Sequence, residues 1–141
     1  MRNFIKTFLL LAVTGVLGVT SCTKVCDIGY EGPNCDSLVR GKYLGFYMGD
    51  ENCGSSGDSF NVALSAVQQD PKLVLITNIY NANNLNAYAT VLANGSLTIA
   101  LQEFGTGTIS GDLTLSGGKP HLNYRVNIPG QNSVVCSWTA R

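Results

Sequence analysis

An all-β domain is the fold class these residues predict: an antiparallel meander of about eight strands, closed or nearly closed into a small barrel. Three observations predict it. Apolar residues recur at every second position in short segments, as in Leu122, Tyr124, Val126 and Ile128, and that is the period of a strand. Turn signals such as Asn94-Gly95, Gly117-Gly118 and Pro129-Gly130 separate those segments at the spacing of a β sandwich or barrel. Charged residues make up only 13% of the chain, while Gly alone numbers 16, a balance that suits strands and tight turns more than helices.

Residues 1–21 precede that domain and have three parts. Arg2 and Lys6 supply positive charge, Phe8 to Val19 is an apolar run, and Val19-Thr20-Ser21 leads into Cys22. Charge, apolar run and small residues before a cut site predict a secretory signal peptide. The run is too short for a membrane span, which needs about 20 apolar residues. Val-Thr-Ser-Cys resembles the lipobox of bacterial lipoproteins. That resemblance implies lipid on the sulfur of Cys22, which becomes the new N-terminus, and a membrane as the first partner. With residues 1–21 gone, 120 residues remain, Lys+Arg falls from nine to seven, and nine Asp+Glu leave a net charge near −2. A nucleic-acid binder would need a basic stripe instead.

Five cysteines are an odd number for an oxidising compartment. Lipid on Cys22 would leave Cys26, Cys35, Cys53 and Cys136, which can pair in three ways. Cys26 with Cys35 is the local choice, leaving Cys53 with Cys136. A zinc site is the alternative, but the spacings differ from those of zinc ligands, and the single histidine, His121, is far from any cysteine in sequence.

Residues 22–38 form a tether. Cys26 to Cys35 has the spacing C-x-x-G-Y-x-G-x-x-C, with Gly29, Tyr30 and Gly32 inside it. This resembles the last loop of an EGF-like module, in which the glycines take positive φ or let backbones approach. The resemblance covers ten residues and carries no calcium site. Asp27, Glu31 and Asp36 read as solvated acids. Lipobox, truncated EGF-like loop and Gly/Thr/Asn-rich β domain together resemble small lipoproteins of Bacteroidetes-type bacteria. Asp36-Ser37-Leu38 resembles the O-glycosylation acceptor of those bacteria, which implies sugar on Ser37. Thr23, Lys24 and Val25 follow Cys22 where surface-exported members carry acids, so the membrane face stays open.

The β domain occupies residues 39–141. Arg40 to Met48 is the expected first strand, with Gly41, Tyr43, Gly45 and Tyr47 on one face and Leu44, Phe46 and Met48 on the other. This glycine-and-aromatic strand resembles the first strand of lipocalin-like barrels. Asp50 to Asp58 is expected as a solvated loop holding Cys53. Phe60, Val62, Leu64 and Ala66 alternate in the second strand, before a turn over Gln68 to Pro71. Lys72 to Tyr80 is nearly continuously apolar, as in a strand buried on both faces. Asn81 to Asn84 is a loop. Asn86 to Leu92 and Ser96 to Gln102 flank Asn94-Gly95, a strong hairpin signal, with Leu97, Ile99 and Leu101 on one face. Thr106 to Ile109 is expected to turn through Ser110, Gly111 and Asp112 into Leu113 to Leu115. Lys119 to Ile128 and Ser133 to Arg141 complete the set, the last with Val134, Cys136 and Trp138 on one face.

Short links predict neighbour pairing. Cys53 lies near the first strand and Cys136 in the last, so their bond would join the two ends of the meander and favour a barrel over a sandwich. Such a bond closes a loop of about 80 residues, worth roughly 4 kcal/mol in the chain-entropy model.

No motif carries a reaction. His121 has no G-x-S-x-G serine to serve. Gly105-x-Gly107 lies between strands, where it reads as a turn and not as a dinucleotide loop. No metal site, cofactor or catalytic residue is expected. Two functions fit: a non-enzymatic envelope lipoprotein whose β domain presents a surface to a protein or glycan partner or serves envelope structure, or a small-ligand carrier using the barrel interior. Tyr43, Tyr47, Tyr124 and Trp138 would line the carrier's cavity. The expected location is the bacterial cell envelope, anchored by lipid to the outer membrane.

Overall fold

The computed structural model describes residues 24–82 and 85–141. The expected signal peptide, residues 1–21, and the expected lipidation site Cys22 lie outside the described residues. A small antiparallel pair, β1 (Tyr30–Glu31) and β2 (Ser37–Leu38), precedes a 3₁₀ turn over Val39–Lys42. Eight strands then form a closed antiparallel barrel: β3 (Gly45–Cys53), β4 (Ser56–Ala66), β5 (Leu73–Thr77), β6 (Asn86–Val91), β7 (Leu97–Phe104), β8 (Gly107–Ser116), β9 (Lys119–Asn127) and β10 (Val134–Ala140). Each strand pairs with its sequence neighbours, and β10 returns to pair with β3, with Ala140 opposite Gly49 and Ser137 opposite Asn52. The predicted meander is present, and the alternative of a sandwich is not.

The barrel encloses a core filled by alternate residues of every strand. Val62, Val74, Ile76, Val91, Leu97, Ile99, Ile109, Leu113, Leu122, Val126 and Trp138 are all fully buried. A side chain beside a void large enough for water would keep accessible surface, and these keep almost none. Their enclosure supplies the hydrophobic stabilisation of the domain. Closure also removes the unpaired edges that a flat sheet would present.

Two disulfides are present, Cys26–Cys35 and Cys53–Cys136. The first closes the tether loop, in which Gly29 and Gly32 have φ of +100° and +89°. The second crosses from β3 to β10 at the barrel seam.

The 3₁₀ turn that follows the tether, Val39–Lys42, closes one mouth of the barrel together with Tyr43. Val39, Arg40 and Tyr43 are buried there. The Arg40 guanidinium donates from Nη1 to the carbonyls of Val67, Asp70 and Leu73 at 2.8, 2.5 and 3.1 Å, which ties this segment to the β4–β5 turn. The Tyr43 hydroxyl donates to the Gly95 carbonyl at 2.8 Å, which ties it to the β6–β7 turn. Burial of that hydroxyl pushes its pKa above the ordinary phenol value.

Several boundaries differ from expectation. The first barrel strand begins at Gly45, because Val39–Lys42 turns inward as a plug. No loop spans Asp50 to Asp58: β3 and β4 continue to a tight turn at Gly54 and Ser55, with Cys53 paired to Ser56. β5 buries only one face completely, since Val74 and Ile76 are inside while Leu73 and Leu75 are half-buried. Ser110, Gly111 and Asp112 do not turn; they are internal to β8. Leu101 lies outside at 70% exposure. A bulge in β7 sets three residue steps from Ile99 to Gln102 against two on β8, which inverts the alternation and brings Phe104 into the core.

Candidate functional site

The end of the barrel opposite the plug carries an unusual group of interior side chains. Period two along β3 turns Gly49, Glu51 and Cys53 toward the interior. Glu51 is 8% exposed, and the Tyr124 hydroxyl donates to its Oε1 from β9. The Cys53–Cys136 disulfide lies beside the carboxyl, all three groups approaching within 4.8 Å. Both sulfurs are bonded to each other, so the cluster offers no thiolate to a metal. Trp138 is directly opposite Glu51 across the seam and packs against Phe60 with ring centroids 6.4 Å apart.

Two glycines permit close packing around these residues. A Cβ on Gly49 would lie 2.3 Å from the Trp138 indole, and one on Gly111 would lie 2.2 Å from the Asn123 carbonyl and 2.8 Å from Cα of Tyr124. Gly111 therefore sits inside a strand for lack of space, not for a turn. Gly49 leaves space for the Trp138 indole, and Gly111 lets the β8 backbone approach that of β9 at Asn123 and Tyr124.

Burial disfavours the charged form of Glu51, and the negative charge of Asp58 adds to the effect. Together they push its pKa up to about 7 from the ordinary 4.5. The carboxyl thus exchanges its proton near neutrality inside an apolar wall. Asp50, one residue earlier, points outward with the opposite outcome. Hydrogen bonds from Arg141 and then Ser59 hold its pKa down at about 2. The three acids expected in one solvated loop, Asp50, Glu51 and Asp58, are therefore strand residues: Glu51 and Asp58 are cross-strand partners, and Asp50 faces the other side.

The expected cavity residues do not come together. Tyr43 belongs to the plug, and Tyr47 donates to the carbonyls of Tyr43 and Leu44 at 3.1 and 3.2 Å. Tyr124 and Trp138 lie with Glu51 in the packed interior. His121 faces outward from β9, its Nδ1 2.7 Å from the Thr139 hydroxyl, on the other side of the wall from Glu51. Ser37 is exposed in β2, near Asp36. A comparison with protein-family models, curated proteins and solved structures finds no match.

Glu51 was missed in sequence because its neighbours Asp50, Asn52, Gly54 and Ser55 resemble a loop. The available signal was the alternation Gly49, Glu51, Cys53: once Cys53 faces inward to bond a core cysteine, Glu51 must face inward too.

Proposed function

We propose that this chain is a lipid-anchored protein of the bacterial cell envelope whose barrel is a non-enzymatic interaction domain. Cys22 carries the anchor and the outer membrane is its first partner; the barrel's outer surface meets a protein or glycan. One observation carries the choice between this and a small-ligand carrier. The interior is packed with side chains that retain almost no accessible surface, and a carrier needs a chamber there. The plug, fastened by Arg40 and Tyr43, occupies one mouth as well. Two disulfides suit an oxidising compartment, in agreement with the signal segment. The tether loop resembles the terminal loop of an EGF-like module, and its exposed Ser37 is accessible to glycosylation.

Fractionation of cells tests the anchor. The native chain is expected in the membrane fraction, with a mass of Cys22 to Arg141 plus acyl chains and less four hydrogens. Cys22→Ala is expected in the soluble fraction. Retention of that variant in membranes refutes lipidation at Cys22. A small molecule released on denaturing the native protein would replace the interaction domain by a carrier.

A further inference from the structure

We propose that the outer face of β3 and β4, with residues 77–81 at and after the end of β5, is a binding groove for a neutral oligosaccharide. The proposal rests on the barrel being a non-enzymatic interaction domain and names its partner class. The groove has a volume of about 450 Å³ and includes Phe46, Met48, Asn61, Thr77, Asn78 and Asn81 among its lining residues. That volume is within the range of small-molecule sites, about 300–1,000 Å³. None of its lining side chains is charged.

Its composition is what a neutral sugar requires. A sugar ring has an apolar C–H face and a rim of hydroxyls. Phe46 is 72% exposed and Met48 47%, which leaves an aromatic platform in water where no core needs it. The negative face of an aromatic ring attracts the slightly positive C–H hydrogens of a sugar. Amides and a hydroxyl surround the platform. Asn81 gives one amide hydrogen to Asp58 at 2.6 Å, so its second hydrogen and its carbonyl oxygen suit sugar hydroxyls.

The backbone supports a positioned site. Asn78, Tyr80 and Asn81 have φ of +63°, +59° and +50°. Asparagine tolerates the left-handed region, but tyrosine rarely enters it. The conformation is held by burial of Ile79 and by the Asn78 amide, which donates to the Asn61 carbonyl at 2.6 Å. Strain retained in this way sets the positions of the two asparagine side chains on either side of Tyr80, a pattern found at ligand clamps.

Other occupants fit less well. A membrane surface would call for basic residues, and the groove has none among its lining residues. A peptide adding as a strand needs an open sheet edge, which the closed barrel lacks. An acidic sugar would meet Asp58, which flanks the groove through Asn81, while the Arg141 guanidinium at the lining residue Ser59 is already paired with Asp50.

The test uses the full chain in a polyoxyethylene detergent, because glycoside detergents carry sugar head groups. It is titrated calorimetrically with neutral hexasaccharides of glucose in both α-1,4 and β-1,4 linkage, and of mannose, xylose, galactose and N-acetylglucosamine. At least one is expected to bind more tightly than ~1 mM. Phe46→Ala and Asn81→Ala should each weaken it about tenfold or more, with the Phe46→Ala melting temperature unchanged because that ring is exposed. Leu101→Ala, which removes an exposed apolar side chain elsewhere, should bind like the native chain. The proposal is overturned if no sugar of the set binds, or if Phe46→Ala binds normally. It is also overturned if sedimentation shows a dimer that Phe46→Ala dissolves, for the face would then be covered by a second copy. The sugar is recovered afterwards and sized. Intact sugar supports both the groove and a non-enzymatic domain, whereas cleaved sugar retains the groove and removes the non-enzymatic function. Absence of binding removes the groove alone, leaving the anchor to the Cys22→Ala fractionation.

Discussion

Replacing Glu51 by Gln should make the protein more stable at alkaline pH than the native chain. The folded carboxyl has a pKa of about 7, against 4.5 for an ordinary glutamate. The folded state therefore holds the proton more tightly than the unfolded state. Its contribution is fully present below about pH 4.5 and is lost as pH rises through about 7. A displacement of this size is worth up to about 3 kcal/mol. The substituted amide would keep an oxygen to accept the Tyr124 hydroxyl and would never acquire charge. Thermal unfolding followed by circular dichroism between pH 4.5 and 8.5 measures both proteins. Near pH 5 their midpoints should be close. By pH 8.5 Glu51→Gln should melt about 10 °C above the native chain, at roughly 3–5 °C per kcal/mol for a domain of this size. Every other titrating group is common to the two proteins, so the difference between the curves isolates residue 51. Parallel curves would refute the buried position of the carboxyl.

Two further substitutions test how the interior is assembled. Gly49→Ala places a methyl 2.3 Å from the Trp138 ring and should lower stability by about 2–3 kcal/mol in urea titration. Gly41→Ala, which meets nothing within 4 Å, should be nearly neutral; equal effects at the two positions would contradict this packing. Arg40→Leu should cost about 3 kcal/mol, because three carbonyls lose a charged donor. Amide hydrogen exchange should quicken in the β4–β5 turn, and unchanged exchange there would deny the plug its fastening.

Much of the fold was legible because a meander needs only local information. Alternation in β4 and β9 and the Asn94-Gly95 turn specify hairpins one at a time, and Cys53 and Cys136 indicate where the last pairing falls. What escaped prediction depends on neighbours distant in sequence. Leu101 continues the alternation of Leu97 and Ile99 perfectly, yet one extra residue in β7 sends it outside. Gly111 has turn neighbours in Ser110 and Asp112, but the close approach of the β9 backbone at Asn123 decides its role. The Glu51 environment was hidden for the same reason: polar residues of low strand propensity are held extended by β4 and β10. The groove at Phe46 was legible only as a face, since its asparagines arrive from a loop beyond β5.

The seam between β3 and β10 has a kinetic consequence. Seven of the eight barrel pairings join strands adjacent in sequence, and only this one is distant, linking Gly49 to Ala140. Hairpins form in about 1–10 μs, whereas the seam must first gather nearly the whole domain, an entropic toll that slows folding. Until it closes, β3 and β10 are open edges, each able to template another newly made chain. Two such chains exchanging edge strands would satisfy every hydrogen bond and bury the same core. Oxidation of Cys53 with Cys136 within one molecule ends that choice, so the timing of thiol chemistry, as much as the final packing, decides between the closed single chain and the exchanged pair.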